Sequence, residues 1–75
     1  MKPTLLKNGL KFCDAGEPVS LDSSPPAFVI LTDKRVLAMP GDVFEYSNTD
    51  VRFRVSIIRS MVTNEGWETT CRFEG

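Results

Sequence analysis

Apolar and polar residues alternate most regularly in two segments near the C-terminal end of the chain, 51–57 and 67–73. Successive side chains of a β-strand point to opposite faces, so this alternation predicts two amphipathic strands. Between them, the segment Thr63-Asn64-Glu65-Gly66 has the composition of a turn. We therefore expect the two strands to pair antiparallel. The expected inward-facing residues are Val51, Phe53, Val55, Ile57, Cys71 and Phe73, with Phe28, Ile30 and Phe44 opposite them.

Two further strands are predicted upstream. The continuous apolar run from Ala27 to Leu31 is typical of a strand buried on both faces. Val43 to Tyr46 predicts a short strand that follows the tight turn at residues 40–42. Between these segments, Thr32 is a candidate N-cap for a short helix through residues 36–39. The pattern as a whole predicts an all-β, mainly antiparallel fold, a small β-barrel or sandwich of four to five strands.

The N-terminal segment 1–24 is weakly patterned, because Pro3, Gly9, Gly16 and Pro18 interrupt its apolar residues. We predict an irregular arm with short extended pieces, or a single helical turn from residue 4 to residue 8 that ends at Gly9. The chain then divides into an arm at 1–24 and the β-barrel core of a single domain at 25–75. An arm that does not fold alone is suited to order against a neighbouring protein.

The charge composition of the chain argues against a nucleic-acid partner. The chain has 75 residues and a net charge of −1, whereas a general nucleic-acid binder usually has a clear basic excess. Arg52, Arg54 and Arg72 lie on the predicted outward faces, and with Tyr46 nearby they suggest a patch for single-stranded nucleic acid. Acidic residues interleave with these arginines, so we expect a solvated, charge-balanced face and no nucleic-acid partner.

The residues needed for most catalytic chemistry are missing from the sequence. The chain has no histidine, and its two cysteines, Cys13 and Cys71, are too far apart in sequence for a zinc motif. We expect no enzyme activity, no metal and no cofactor, and two reduced, packed thiols, with a disulfide as the alternative. The sequence shows no signal peptide and no apolar run near 18 residues, which predicts a cytoplasmic protein without a membrane partner.

Segment 24–75 contains several short motifs in a particular order. These motifs are Ser24-Pro25, Phe28-Val29, Thr32-Asp33, an apolar segment ending at Leu37, Gly41-Asp42, Phe53-Arg54-Val55 and Gly66-Trp67. In this order the segment resembles the head–tail joining proteins of tailed bacteriophages, of the lambda type. The resemblance covers about two-thirds of the chain and implies a virion structural protein, made in the host cytoplasm, that forms a homo-oligomeric ring with other phage structural proteins.

The resemblance and the lack of catalytic residues together predict a non-enzymatic ring component of the phage head–tail interface, or neck. The alternatives are a capsid-decorating or tail protein, and a small β-barrel adaptor or nucleic-acid-binding module. We expect the contacts to be made by the apolar residues of the arm and by two polar loops. These candidate interface residues are Leu5, Leu6, Leu10 and Phe12, then Thr32, Asp33, Lys34 and Arg35, and finally Ser47, Asn48, Thr49 and Asp50.

Overall fold

Seven strands form one antiparallel sheet in the computed structural model, which describes residues 2–74. Met1 and Gly75, which belong to the predicted ranges 1–24 and 25–75, lie outside the described residues. The strands are β1 (Thr4–Lys7), β2 (Leu10–Asp14), β3 (Val19–Leu21), β4 (Ala27–Thr32), β5 (Phe44–Ser47), β6 (Arg52–Thr63) and β7 (Gly66–Phe73). Their order across the sheet is β2-β1-β5-β6-β7-β4-β3. The predicted all-β antiparallel class is confirmed, with seven strands instead of four to five.

The sheet curls until its two end strands meet. β2 and β3 lie at opposite ends of the sheet but are consecutive along the chain. Between them, Ala15 forms a bridge with Thr32, and the Gly16 N–H donates a 2.7 Å hydrogen bond to the Leu31 carbonyl. This short connection therefore contacts the same edge of β4 that β3 pairs with. The strand pairing within residues 2–74 does not close into a barrel. The described chain nevertheless has nearly equal dimensions, 27 × 27 × 26 Å, because the sheet is curled and not flat.

The N-terminal segment contains the hairpin β1–β2 and the strand β3, so the predicted short extended pieces are confirmed, whereas the irregular arm and the helical turn are wrong. Asn8 and Gly9, with φ of 52° and 85°, form the two-residue turn between β1 and β2. Asn-Gly favours such hairpin turns because both positions need positive φ. The Asn8 N–H donates to the Val43 carbonyl, and the Val43 N–H donates to the Asn8 side-chain oxygen. These two hydrogen bonds attach the hairpin tip to the residue before β5. β1 thus lies inside the sheet, between β2 and β5.

The core lies inside the curl. Its buried hydrophobic residues are Leu5, Cys13, Ala15, Phe28, Ile30, Val36, Phe44, Tyr46, Val55 and Cys71, with Phe12, Phe53 and Ile57 packed against them. The predicted antiparallel pairing of segments 51–57 and 67–73 is confirmed. Of the residues predicted to face inward, Val51 is 46% exposed and Phe73 is 58% exposed, although the Phe73 ring lies 5.0 Å from those of Phe28 and Phe53. Val51 precedes the first residue of β6, and Phe73 ends β7, so neighbouring strands cover neither fully.

A β-bulge between Ile57 and Arg59 lets β6 continue to residue 63. Beyond the bulge, Ser60 is paired with the fully buried Thr69, and their hydroxyl oxygens lie 2.9 Å apart. The Ser60 hydroxyl also accepts a hydrogen bond from the Val36 N–H. Residues 36–39 begin at this hydrogen bond and do not form the predicted helix. The Thr32 hydroxyl, predicted as a helix cap, instead donates to the Lys34 carbonyl.

Replacing Leu5 by alanine tests the position of β1. Leu5 is completely buried, so Leu5→Ala should lower the free energy of unfolding by about 2–5 kcal/mol. Leu10→Ala is the matched control, because Leu10 is 75% exposed, and its effect should stay within about 0.5 kcal/mol. Urea unfolding followed by tryptophan fluorescence measures both. Equal stabilities of the two variants would contradict a core position for β1.

Candidate protein-binding site

The two loops expected to make contacts lie at opposite ends of β6. Thr32 is paired with Trp67, which is itself paired with Val62 near the end of β6. Ser47, by contrast, is paired with Arg52, the first residue of that strand. The loops at 32–35 and 47–50 therefore do not form one shared contact surface.

Within the 32–35 loop, Thr32 is only 4% exposed, so little of its side chain is accessible to a partner. Its hydroxyl lies 3.0 Å from that of Thr69, inside the domain. Asp33, Lys34 and Arg35 are exposed. The Lys34 ammonium lies 4.6 Å from the centre of the Phe12 ring, a cation–π contact that covers part of this ring.

The 47–50 loop is held by its own hydrogen bonds. The Asn48 side-chain oxygen accepts from the N–H groups of Asp50 and Val51, at 2.9 and 3.0 Å, which forms an Asx turn. Thr49 and Asp50 are exposed, whereas Ser47 and Asn48 are partly buried. The tip of this loop is accessible and lies at the other end of β6 from the 32–35 loop.

The apolar residues expected to dock against a neighbour have mostly internal roles. Leu5 is a core residue, because its side chain packs inside the curl of the sheet and is completely buried. Leu6 is partly buried, and Phe12 packs edge-on against Phe44 with ring centres 5.7 Å apart. Of the four, Leu10 alone is largely exposed.

The outward arginines do not form a patch with Tyr46. Tyr46 is 1% exposed and faces the core, where its ring lies 5.3 Å from that of Phe53. Arg52 makes an ion pair with Glu45 at 3.0 Å on the outer face. Since the tyrosine and the arginines are on opposite faces of the sheet, the arrangement lacks the stacking platform that single-strand binding uses.

A cleft of about 370 Å³ lies on the outer face of the sheet, beside β3. The sequence patterns did not predict this cleft. Its lining residues are Gly16, Glu17, Val19, Leu21, Val29, Leu31, Glu65 and Glu68. They come from β3, from the neighbouring strands β4 and β7, from the connection before β3 and from the turn before β7. Hereafter we call it the β3 cleft.

Strand register explains why the floor of the β3 cleft is apolar. Val19 is paired with Val29, and Leu31 is paired with Glu68, which sets these side chains on the same outer face. Val19 is 64% exposed, Leu21 41% and Leu31 39%. Large apolar side chains that share one exposed face are typical of a surface for binding another molecule. The short alternation Val19-Ser20-Leu21 was the available sequence signal, but three residues do not reveal which face is outside.

The rim of the β3 cleft is acidic. Glu17, Glu65 and Glu68 line it, and its lining includes neither lysine nor arginine. The ion pairs between side chains of residues 2–74 join Lys7 to Asp42, Lys11 to Asp14 and Arg52 to Glu45, so none of them involves the rim. The rim carboxylates thus form no ion pair within the described chain, although Lys2 lines an adjoining pocket together with Glu65.

The cysteines offer little chemistry at neutral pH. Both are free and buried. Burial raises the pKa of the Cys13 thiol to about 11 and that of Cys71 to about 12, from a usual value of 9.0. The thiolate is the nucleophilic form, so these groups are inert in the folded protein. Among residues 2–74, no group of three or more histidine, cysteine, aspartate or glutamate side chains could hold a metal ion.

Comparison of the chain with protein-family models, curated proteins and solved structures found no match. Within the part of the chain that the structure describes, no helix is long and apolar enough to cross a membrane.

The raised thiol pKa values predict how stability depends on pH. Below pH 9 the thiols are protonated in both folded and unfolded chains, so their stabilising contribution is fully present. Above pH 9 the unfolded chain loses these protons first, and the contribution is lost as the pH rises through about 11 and then about 12. Urea unfolding at pH 8 and pH 10 should show the decrease, and Cys71→Ala should reduce the slope.

Thiol accessibility gives a direct check of the same arrangement. At pH 8 a chromogenic disulfide reagent should leave Cys13 and Cys71 unmodified in the native protein and react with both in urea. Fast modification of either thiol without urea would contradict its burial.

Proposed function

We propose that this chain is a non-catalytic structural protein that works by binding other protein chains through the β3 cleft. The observation that carries the proposal is the group of exposed apolar side chains in that cleft, Val19, Leu21 and Leu31. Exposed apolar surface lowers solubility, so a partner that covers these three side chains stabilises a small domain.

The size of the domain supports a role within an assembly. A chain of 75 residues buries only about 60% of its unfolded surface and is marginally stable by itself. Contacts that form with the folded state alone stabilise that state by mass action. A partner that covers the apolar cleft would therefore bind the domain and also stabilise its folded state.

We further propose that the assembly is a tailed-phage particle, with the chain in a homo-oligomeric ring at the head–tail interface. The resemblance of segment 24–75 to lambda-type joining proteins supports this setting, which makes the chain a virion protein with other phage structural proteins as partners. A ring requires a head-to-tail interface in which one surface of each copy contacts a different surface of the next. The β3 cleft is a candidate for one of those surfaces.

Substitution in the β3 cleft tests the proposal. Val19→Asp should prevent incorporation of the chain into purified phage particles, because it places a charge on the apolar floor beside the rim glutamates. Met39→Asp is the matched control, since Val19 and Met39 are both 64% exposed but Met39 does not line the cleft. Immunoblots of gradient-purified particles measure incorporation, and thermal melts should show that both variants stay folded.

Two results would count against different parts of the proposal. If the unsubstituted chain is missing from particles, the virion setting is wrong. If Val19→Asp and Met39→Asp enter particles equally well, the β3 cleft is not the surface that binds the partner.

A further inference from the structure

We infer that the β3 cleft binds the Arg35 side chain of a second copy of this chain, with the aliphatic stem on the apolar floor and the guanidinium group at the acidic rim. This inference rests on the proposed protein-binding function of the cleft. It adds the identity of the partner, which is the chain itself, and the side chain by which that partner is recognised.

The β3 cleft combines two chemistries that a single long basic side chain satisfies. Its floor is apolar and accessible, with Val19 64% exposed and Leu31 39% exposed. The carboxylates of its rim belong to Glu17, Glu65 and Glu68. The stem of an arginine or lysine covers apolar surface while the charged end stays at the polar margin. A cleft of about 370 Å³ that offers both chemistries therefore suits one such side chain.

The surroundings of the cleft are also acidic. The adjoining pocket shares Leu31 and Glu65 with the cleft, and its lining includes Asp14, Asp33 and Lys2. Acidic residues therefore outnumber the one lysine in the two linings taken together. A surface with this excess of negative charge attracts a basic side chain and repels an acidic one.

The loop after β4 presents Arg35 between two anchored neighbours. On one side, the Lys34 carbonyl accepts a 2.8 Å hydrogen bond from the Thr32 hydroxyl. On the other side, Val36 is completely buried, and its N–H donates to the Ser60 hydroxyl. The Arg35 side chain itself is exposed. Because the backbone on both sides is already held in place, less conformational freedom is lost when this side chain binds.

Arg35 is distinguished from the other basic residues of the described chain by its position and its lack of an ion pair. Ion pairs hold three of these residues, Lys7, Lys11 and Arg52. The Lys34 ammonium lies over the Phe12 ring, and Lys2 lines the adjoining pocket. Three further arginines lie within the strands β6 and β7, namely Arg54, Arg59 and Arg72. Arg35, by contrast, lies on a loop and forms no ion pair within residues 2–74.

Identical copies supply both halves of the contact. Within one copy, Arg35 forms no ion pair with the rim glutamates, although its loop adjoins the cleft. The loop and the cleft are different surfaces of the chain, so the contact between copies is head to tail. Such a contact repeats from copy to copy and closes into a ring when the rotation allows it.

Two charge-reversed variants of the full-length chain test the inference by complementation. Arg35→Glu keeps the acidic cleft but has an acidic residue on the loop, whereas Glu65→Lys/Glu68→Lys keeps Arg35 but has a basic rim. Each variant alone brings like charges together, and an equimolar mixture places opposite charges at every contact. Sedimentation equilibrium at neutral pH measures the average mass, at concentrations up to about 1 mM because a contact of this size is weak.

The average mass of the unsubstituted chain should rise with its concentration. Each charge-reversed variant alone should need an at least about tenfold higher concentration to reach the same mass, because like charges repel at the contact. The mixture should regain the association of the unsubstituted chain, which an unfolded variant would not do. Arg54→Glu is the matched control, since it reverses an exposed arginine that is paired with Glu45 and does not line the cleft. It should associate like the unsubstituted chain.

The outcomes separate this inference from the proposed function. An unsubstituted chain that stays monomeric at every concentration, or a mixture that associates no better than its components, would overturn the inference. If Val19→Asp were nevertheless kept out of particles, the cleft would bind a different chain and the proposed function would stand. Complementation by a chain that is missing from particles would instead support the contact and contradict the virion setting.

Discussion

The structure depends on the meeting of the two ends of its sheet at one edge of β4. The Gly16 N–H bonds to the Leu31 carbonyl, and β3 then pairs with the earlier part of the same strand. Curling brings Leu5 and Phe28, which lie on strands near opposite ends of the sheet, into one core. An open sheet would leave one face of both residues in water, so the edge contacts and the burial of the core support each other.

The same connection builds the candidate site. The chain leaves β2, passes Gly16 and Glu17, and becomes β3, so one wall of the cleft is the segment that brings the sheet ends together. The opposite part of the rim comes from the turn before β7. There Gly66 has φ of 129°, and a Cβ at this residue would lie 3.2 Å from the Thr32 carbonyl oxygen. Glycine is needed at that close approach, which fixes Glu65 and Glu68 beside Leu31.

The hydroxyl groups of Ser60, Thr69 and Thr32 hold this end of the sheet. They form a continuous chain of hydrogen bonds, 2.9 and 3.0 Å long, and Thr69 is fully buried. A satisfied polar network of this kind specifies one arrangement of the elements that it joins. The predicted contact loop at 32–35 adjoins the cleft beside Leu31 and Glu65, whereas the loop at 47–50 lies at the other end of β6.

Local patterns in the sequence determined the strands β4 to β7, their antiparallel class and the turns that join the last three, because alternation and turn composition act over a few residues. The Asn8-Gly9 turn was readable too, but the surrounding glycines and prolines concealed the short strands of the hairpin. Tertiary structure alone decided that Leu5 is core and that Val19 lies beside Val29 on the outer face. Curling and register arise from contacts between residues far apart in sequence, and a one-residue change of register would move every side chain to the other face.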